Sequence, residues 1–504
     1  MWCCEMNVKL VTNFASEKKP RDQRLACIVA LGLTIAIVGT LTVLTGCAID
    51  PRSRIDDPVA ELNAPNRAPR VHMTAMDMAA SDPAKRKAYV EALRELIWKP
   101  GYTVEVREAA FDRLKDIDVD ALKQEIRWRM GHISAWNWLK RLSALIANNN
   151  WKDLSPALVS SWARPTNYVQ KETQRPEYQA LAELHGEDKV VDVVFQMFRE
   201  SKGVAGQGLR TRSWELLHRL GERRRLVDLL ASSDVPDDDA MLIDLRAAAR
   251  DLGIVPYNRE EILWVRKLRT NEYEEFWQQA VDALAQLDAD RKADLELRDV
   301  PVVVAAAQHR PNLLSRTKAE LYSRLSTQLQ GRRHYRHGSD YDNLGRSSDR
   351  LRNHRERLTW GDLLAMHLLT EALAVPEVVD HLFDYARRDR ADETTEYGGV
   401  IRLDEKGRFE IVEFPPVIRH HDNKFIASQA MLDEAYTALF HFHLHVQNVR
   451  NTDYAGPGFG DVNYADNVRA NCVVFTSVGE NRLNVDYYRH GRVIVDLGVV
   501  ENSM

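Results

Sequence analysis

The side chains best suited to chemistry are concentrated in residues 439–461, LFHFHLHVQNVRNTDYAGPGFGD. His441, His443 and His445 alternate with Phe442 and Leu444. On a strand, alternate side chains share a face, so three imidazoles would line up. Such a row can hold a metal. Zinc accepts imidazole nitrogens and carboxylate oxygens, and a catalytic zinc keeps three protein ligands with a fourth position for water. Asp461, after a Gly/Pro loop, offers the third ligand. Upstream, residues 392–403 read DETTEYGGVIRL, a carboxylate followed by a glycine pair and a β-branched strand. Zinc lowers the pKa of a bound water from about 15.7 towards about 7, and a nearby carboxylate can take its proton and pass it to a leaving amine. That is amide hydrolysis. Glu396 is the candidate base, with Asp392 and Glu393 as neighbouring competitors. The plainer alternatives are a half-buried strand whose histidines are merely solvated or hydrogen-bonded, and a metal-scavenging site on residues 441–445 alone.

Glu396-Tyr-Gly-Gly-Val-Ile, then His-x-His on a later strand, then a turn ending in Asp461, resembles the JAMM metalloproteases, also called the MPN-plus or JAB domain. The resemblance covers residues 394–498. It implies a cytidine-deaminase-like α/β fold and a bound Zn²⁺. By the same likeness Glu396 is the general base, His443 and His445 the paired histidine ligands, and Asp461 the third ligand. Two departures stand out. The serine that helps the family hold an oxyanion falls at Gly458, and the loop from His445 to Asp461 is longer than the family's spacing. The pair His441 with His443 is therefore an alternative register, and only His443 belongs to both.

The elements that must position these residues follow from periodicity. Strands are expected at 399–403, 409–414, 438–445, from Cys472, from Asn484 and from Arg492, the last two separated by a turn at His490-Gly491. Helices are expected around 433–436 and over 462–470. Upstream, the chain from Asp82-Pro83 to about Leu287 reads as successive helices, among them 89–98, 106–114, 119–130, 136–146, 190–199, 212–220 and 237–249. Such a succession suggests an all-α helical-repeat region, a HEAT-like solenoid, ahead of the α/β domain. Its alternative is a compact helical bundle. Residues 260–287 read as the last long helical stretch, with 316–328 a further helix. Helices are also expected from Trp360 and over 377–387. The five tryptophans from Trp98 to Trp151 read as helix-packing core. Residues 331–357 are rich in Arg and His but diluted by Asp340, Asp342 and Asp349, which suggests a solvated loop rather than an anion-binding one.

At the beginning, Lys18, Lys19, Arg21 and Arg24 precede an apolar run over 25–44 that ends Leu44-Thr-Gly-Cys47. A basic segment, an apolar core and small residues describe a secretory signal. The final four residues resemble the bacterial lipobox, which implies lipid on Cys47 and a body on the outer side of the cytoplasmic membrane, or at an outer membrane facing the periplasm. A transmembrane anchor is the alternative. Residues 48–80, with Pro51, Pro58, Pro65 and Pro69, read as a tether. The expected organisation is thus signal 1–46, tether 47–80, helical repeats 81–330, basic loop 331–358, linking helices 359–390 and hydrolase domain 391–504.

Composition adds limits. The 504 residues are 44% hydrophobic and 28% charged with net charge −5, enough for two or three domains and without a nucleic-acid footprint. Of five cysteines only Cys472 lies beyond residue 47, so the body has neither an intrachain disulfide nor a cysteine zinc site. The function expected from these residues is an exported, lipid-anchored zinc peptidase or isopeptidase, its helical region selecting a protein or peptide substrate. A catalytically silent JAMM-like module on an interaction lipoprotein is the rival.

Overall fold

The computed structural model describes residues 51–502 except 165, 167, 202, 233–237, 336–348 and 415–424. The signal segment and Cys47 lie outside the described residues, as does the centre of the 331–357 segment. Among the described residues no helix is long and apolar enough to cross a membrane.

The polypeptide is mostly helical and ends in a mixed six-stranded sheet. Helices begin earlier than composition suggests. Pro58–Leu62 and Pro69–Ala80 are both helical, and Leu62, Ala75, Met76 and Ala79 are buried, so residues 58–80 belong to the helical body and not to the expected 47–80 tether. Pro58 and Pro69 misled because each stands at the first helical position, where its missing N–H and fixed φ cost nothing. Asp57 caps the first of these helices through Val59 N–H. The later helices match their patterns closely: Arg86–Trp98, Val104–Ile117, Val119–Arg129, Trp136–Asn148 and Val190–Glu200. The stretch 260–287 is two helices, Arg259–Leu268 and Glu274–Ala285, split at Thr270. Trp138 and Trp151 are core as expected, but Trp128 is 74% exposed.

Two apolar cores hold the body together. The first gathers helical side chains from Ile55 to Ile262. The second runs from Ala247 to Leu497 and is shared by later helices and one face of the sheet, so packing is continuous across residues 330 and 390. The helices that serve the sheet are α1 (Arg259–Leu268), α2 (Val300–His309), α3 (Trp360–Ala372), α4 (Pro376–Ala391), α5 (Gln429–Ala435) and α6 (Phe459–Val468). The strands are β1 (Gly398–Leu403), β2 (Phe409–Phe414), β3 (Phe440–His445), β4 (Cys472–Gly479), β5 (Arg482–Arg489) and β6 (Val493–Glu501). Their order is β2-β1-β3-β4-β5-β6, antiparallel throughout except for the parallel β3/β4 pair.

The sheet has two unlike faces, as strand alternation requires. Phe440, Phe442, Leu444, Val473, Phe475, Val485 and Tyr487 enter the large core. The opposite face carries His441, His443, His445, Thr476, Asn484 and Asp486, together with a small apolar cluster of Cys472, Val474, Tyr488 and residues of α6. Gly398 and Gly399 follow from close approach. A Cβ on Gly399 would lie 2.0 Å from the Val412 carbonyl oxygen, and one on Gly398 would lie 2.6 Å from that of Phe442. The glycine pair thus lets β1 fit between β2 and β3, whatever its resemblance to a motif.

A buried ionic cluster fastens the helices to the sheet. Arg298, just before α2, bonds Asp362 of α3 at 2.8 Å, the Asn471 side chain at 2.8 Å and the Tyr487 hydroxyl at 3.1 Å. Arg489 of β5 reaches the same Asp362 at 3.0 Å. Arg469, which ends α6 in the left-handed conformation, bonds Glu261 of α1 at 3.0 Å and Glu296 at 2.7 Å. Both flanks of the 331–357 segment also dock on the sheet: Arg332 donates to the Leu497 carbonyl and Tyr335 N–H to Asp496, and the Asp349 carbonyl accepts the Asp496 N–H at 2.7 Å.

Candidate metal centre

Strand register explains why Glu396 meets the histidines. In the antiparallel β1/β3 pair, Gly398 faces His443. Two residues earlier on β1 therefore means two residues later on β3, and Glu396 arrives opposite His445. The Leu444 N–H bonds the Tyr397 carbonyl at 3.0 Å and holds this approach. Ligand-type atoms of Glu396, His443 and His445 all lie within 4.8 Å of one another.

Asp461 completes the group from above the sheet. Sequence placed it at the end of a loop, but it occupies the first turn of α6, where its Oδ2 accepts the Gly458 N–H at 2.7 Å. A carboxylate there is favoured by the helix dipole. His443 Nε2 is 3.3 Å from Asp461 Oδ1, His445 Nε2 is 3.5 Å from Oδ2, and the two Nε2 atoms are 3.1 Å apart. Zinc bonds of about 2.0–2.1 Å in a tetrahedron set ligand atoms roughly 3.3 Å apart. The donor set fits. His445 is oriented by its other nitrogen, Nδ1, which lies 3.1 Å from the Tyr454 carbonyl oxygen, the usual outer support of a metal-binding imidazole. The Asp461 side chain keeps 22% exposure, so the group can be reached from solvent near the start of α6.

The other candidates stand apart. His441 shares the face but sits two residues back along β3, about 6.8 Å away. Its Nδ1 pairs with the Tyr464 hydroxyl at 2.8 Å, and burial holds it down at a pKa of about 4. Asp392 is taken up by Thr394 and the Tyr397 hydroxyl, and Glu393 is exposed. The geometry therefore groups His443 with His445, not with His441. Sequence reading missed Gln447 and Asn451. Gln447 Nε2 donates to Glu396 Oε1 at 2.9 Å, and Asn451 Nδ2 donates to Gln447 Oε1 at 2.7 Å. Asn451 is itself pinned by its N–H to the Ser477 carbonyl at 2.7 Å. The signal was available, since Gln447 continues the alternation of 441, 443 and 445.

The electrostatics belong to a tightly coupled group. Burial raises the Glu396 carboxyl above its ordinary range, opposed by the nearby His445 and His443. Burial acts against the charged forms of His445 and Asp461 as well, but each is overruled by its partners. Asp461 and Glu396 lift His445 to about 9, and the two imidazoles hold Asp461 well below 3.8. The His445 contribution to stability is full below about 6.5 and disappears as pH rises through about 9. That of Asp461 is present above 3.8 and is lost only on acidification through its lowered pKa. Metal-free protein should accordingly lose stability between about pH 6.5 and 9 in urea titrations. Zinc uptake at pH 7 should release a proton from His445, because a ligating imidazole is neutral. Calorimetry in buffers of different ionisation enthalpy reads that proton directly, and uptake without release would contradict the assignment.

No protein-family model, curated protein or solved structure matches the chain. The functional reading rests on the site.

Proposed function

We propose that the chain is an exported, lipid-anchored, zinc-dependent amide hydrolase of the JAMM type, acting on a peptide or isopeptide bond, with its HEAT-like helical region selecting the substrate or partner. The observation that carries this reading is the convergence of Glu396, His443, His445 and Asp461 from three separate parts of the fold. A scavenging site has no use for the buried carboxylate of Glu396. His443, His445 and Asp461 would hold the ion. Zinc, when bound, supplies a water acidic enough to lose a proton near neutral pH and polarises a carbonyl.

The chain's own residues do the rest. Glu396, its carboxyl raised by burial and its Oε1 held by Gln447, takes a proton from the attacking water as the new C–O bond forms. It returns that proton to the amide nitrogen as the C–N bond breaks, so acid and amine are the products. The leader before Cys47 supports placement at the cell envelope, and no nucleic-acid partner is expected.

A second reading, a silent JAMM-like binding module, is favoured by Gly458, which has no hydroxyl where the family has serine. Its N–H is already engaged by Asp461. The two readings separate on one assay. Zinc-loaded chain offered peptides and side-chain-linked isopeptides should release primary amine, measured with an amine-reactive dye, and chelation should stop it. Zinc binding with no release from any member of the panel would support the silent module.

A further inference from the structure

The helical body gathers cations at one place without the anions that accompany them elsewhere. Arg175, Arg210 and Arg219 each bond a carboxylate, that of Glu177, Asp239 and Glu172 respectively. Arg164 and Arg212 differ. Among the described residues neither forms an ion pair, and their side-chain bonds run instead to the Gly131 carbonyl and, at 2.8 Å, to Ser160 Oγ.

Both guanidiniums converge on Gly131. Arg164 Nη1 donates to its carbonyl oxygen, and a Cβ built on Gly131 would lie 3.7 Å from Arg212 Nη1 and 3.5 Å from Ser160 Oγ. With a hydrogen bond of about 3 Å, and about 3 Å from a carbonyl oxygen to the Cβ of its own residue, the two Nη1 atoms are within roughly 10 Å of each other. The arrangement is braced. Arg219 donates to the carbonyls of Ala163 at 2.6 Å and Trp162 at 2.8 Å, and Arg175 to those of Arg164 at 2.9 Å and Ser161 at 3.2 Å. Four successive carbonyls are fixed in this way, so the turn that carries Arg164 is held in place. Arg164 and the adjoining His132 are exposed and Arg212 is half-buried, which leaves the group open to solvent.

Like charges held together cost free energy. Burial, Arg164 and Arg259 all push the Arg212 guanidinium down, and Glu215, which opposes them, has Arg219 as its ion-pair partner. Burial and the same Arg164 and Arg212 hold His132 below its ordinary range. A bound anion relieves that repulsion. Two guanidiniums offer two charges, and the Ser160 hydroxyl, which donates to no described residue, adds a further donor. A carboxylate, with one charge and two oxygens, is already satisfied by a single guanidinium fork. A phosphate group carries a charge of about −1.5 to −2 and three free oxygens or more. Accepting bonds of about 2.8 Å on two sides, it spans roughly 8 Å between donors, which fits the separation of Arg164 and Arg212. We infer that Arg164, Arg212 and Ser160 form a phosphate-binding site on the helical body. It is built from other elements than the metal centre and does not depend on the hydrolase reading.

The test is a phosphorus NMR titration of the metal-free full chain in detergent, at pH 7 and fixed ionic strength. Inorganic phosphate should bind with a Kd of about 1 mM or tighter. Arg164→Met and Arg212→Met should each weaken binding at least about tenfold, the range of a charge-assisted hydrogen bond. Gly131→Asp should abolish it, because the new carboxylate comes within reach of Arg212 Nη1 and takes the ligand's place. Glycerol 3-phosphate distinguishes the sources. Binding as tight as that of inorganic phosphate supports a site for phosphate carried on a larger molecule such as a lipid headgroup, and a preference for the inorganic ion supports a site for the free ion. No binding of either by the wild-type chain, or equal competition by acetate, would overturn the inference. So would unchanged affinity in Arg164→Met, an exposed position whose folding circular dichroism can check.

Discussion

Replacing Glu396 with Gln should lower amide turnover by about 10²–10⁴-fold while zinc content stays at the wild-type level. The substitution keeps the volume and can still present an oxygen to Gln447 Nε2, which is 2.9 Å from Glu396 Oε1. What it removes is the capacity to take and return a proton. The metal is held by His443, His445 and Asp461, so their affinity for zinc does not depend on Glu396 being ionisable. The measurement pairs steady-state amine release with elemental analysis of the same sample. Full activity in Glu396→Gln would mean that another group is the base, and Asp461, the carboxylate that acts on Glu396, would be the next to examine. Loss of zinc together with activity would make Glu396 a ligand instead.

The second large effect concerns the join between helices and sheet. Asp362→Ala should destabilise the body by about 3–5 kcal/mol, because Arg298 and Arg489 would both remain buried without their shared carboxylate. Asp362 is fully buried, and despite burial the two guanidiniums hold its carboxyl well below the usual range. It also caps α3, accepting the Thr359 N–H at 2.8 Å. A double variant, Arg298→Met with Asp362→Leu, removes charge from both sides and should recover part of the loss. Urea denaturation followed by tryptophan fluorescence measures each. A wild-type midpoint for Asp362→Ala would show that the cluster does not hold the two layers together.

Much of this structure was legible in the sequence, for physical reasons that can be named. The six strands were visible because each has one apolar face and turns at both ends, and Glu396, His443, His445 and Asp461 stood out by residue type. The register that joins them was not legible. Whether His443 takes His441 or His445 as its partner is decided by the pairing of Gly398 with His443, a contact between residues 45 positions apart. The helix α2, Val300–His309, was also hidden. Its run of β-branched valines favours a strand by propensity, and burial on all sides overrides that preference. The early helices at Pro58 and Pro69 were lost to the habit of reading proline as a breaker. Gln447 extends the alternation of 441, 443 and 445, but it and Asn451 act only through Glu396, and nothing in a linear pattern marks the hydrogen bonds they make.

The most direct test of the central claim is the zinc content of the folded full chain, measured by elemental analysis beside His443→Ala and Asp461→Ala variants whose folding is checked by circular dichroism. About one zinc per wild-type chain is expected, lost in both variants, as a three-ligand site requires. A folded wild-type chain that takes up no zinc when it is supplied would contradict it.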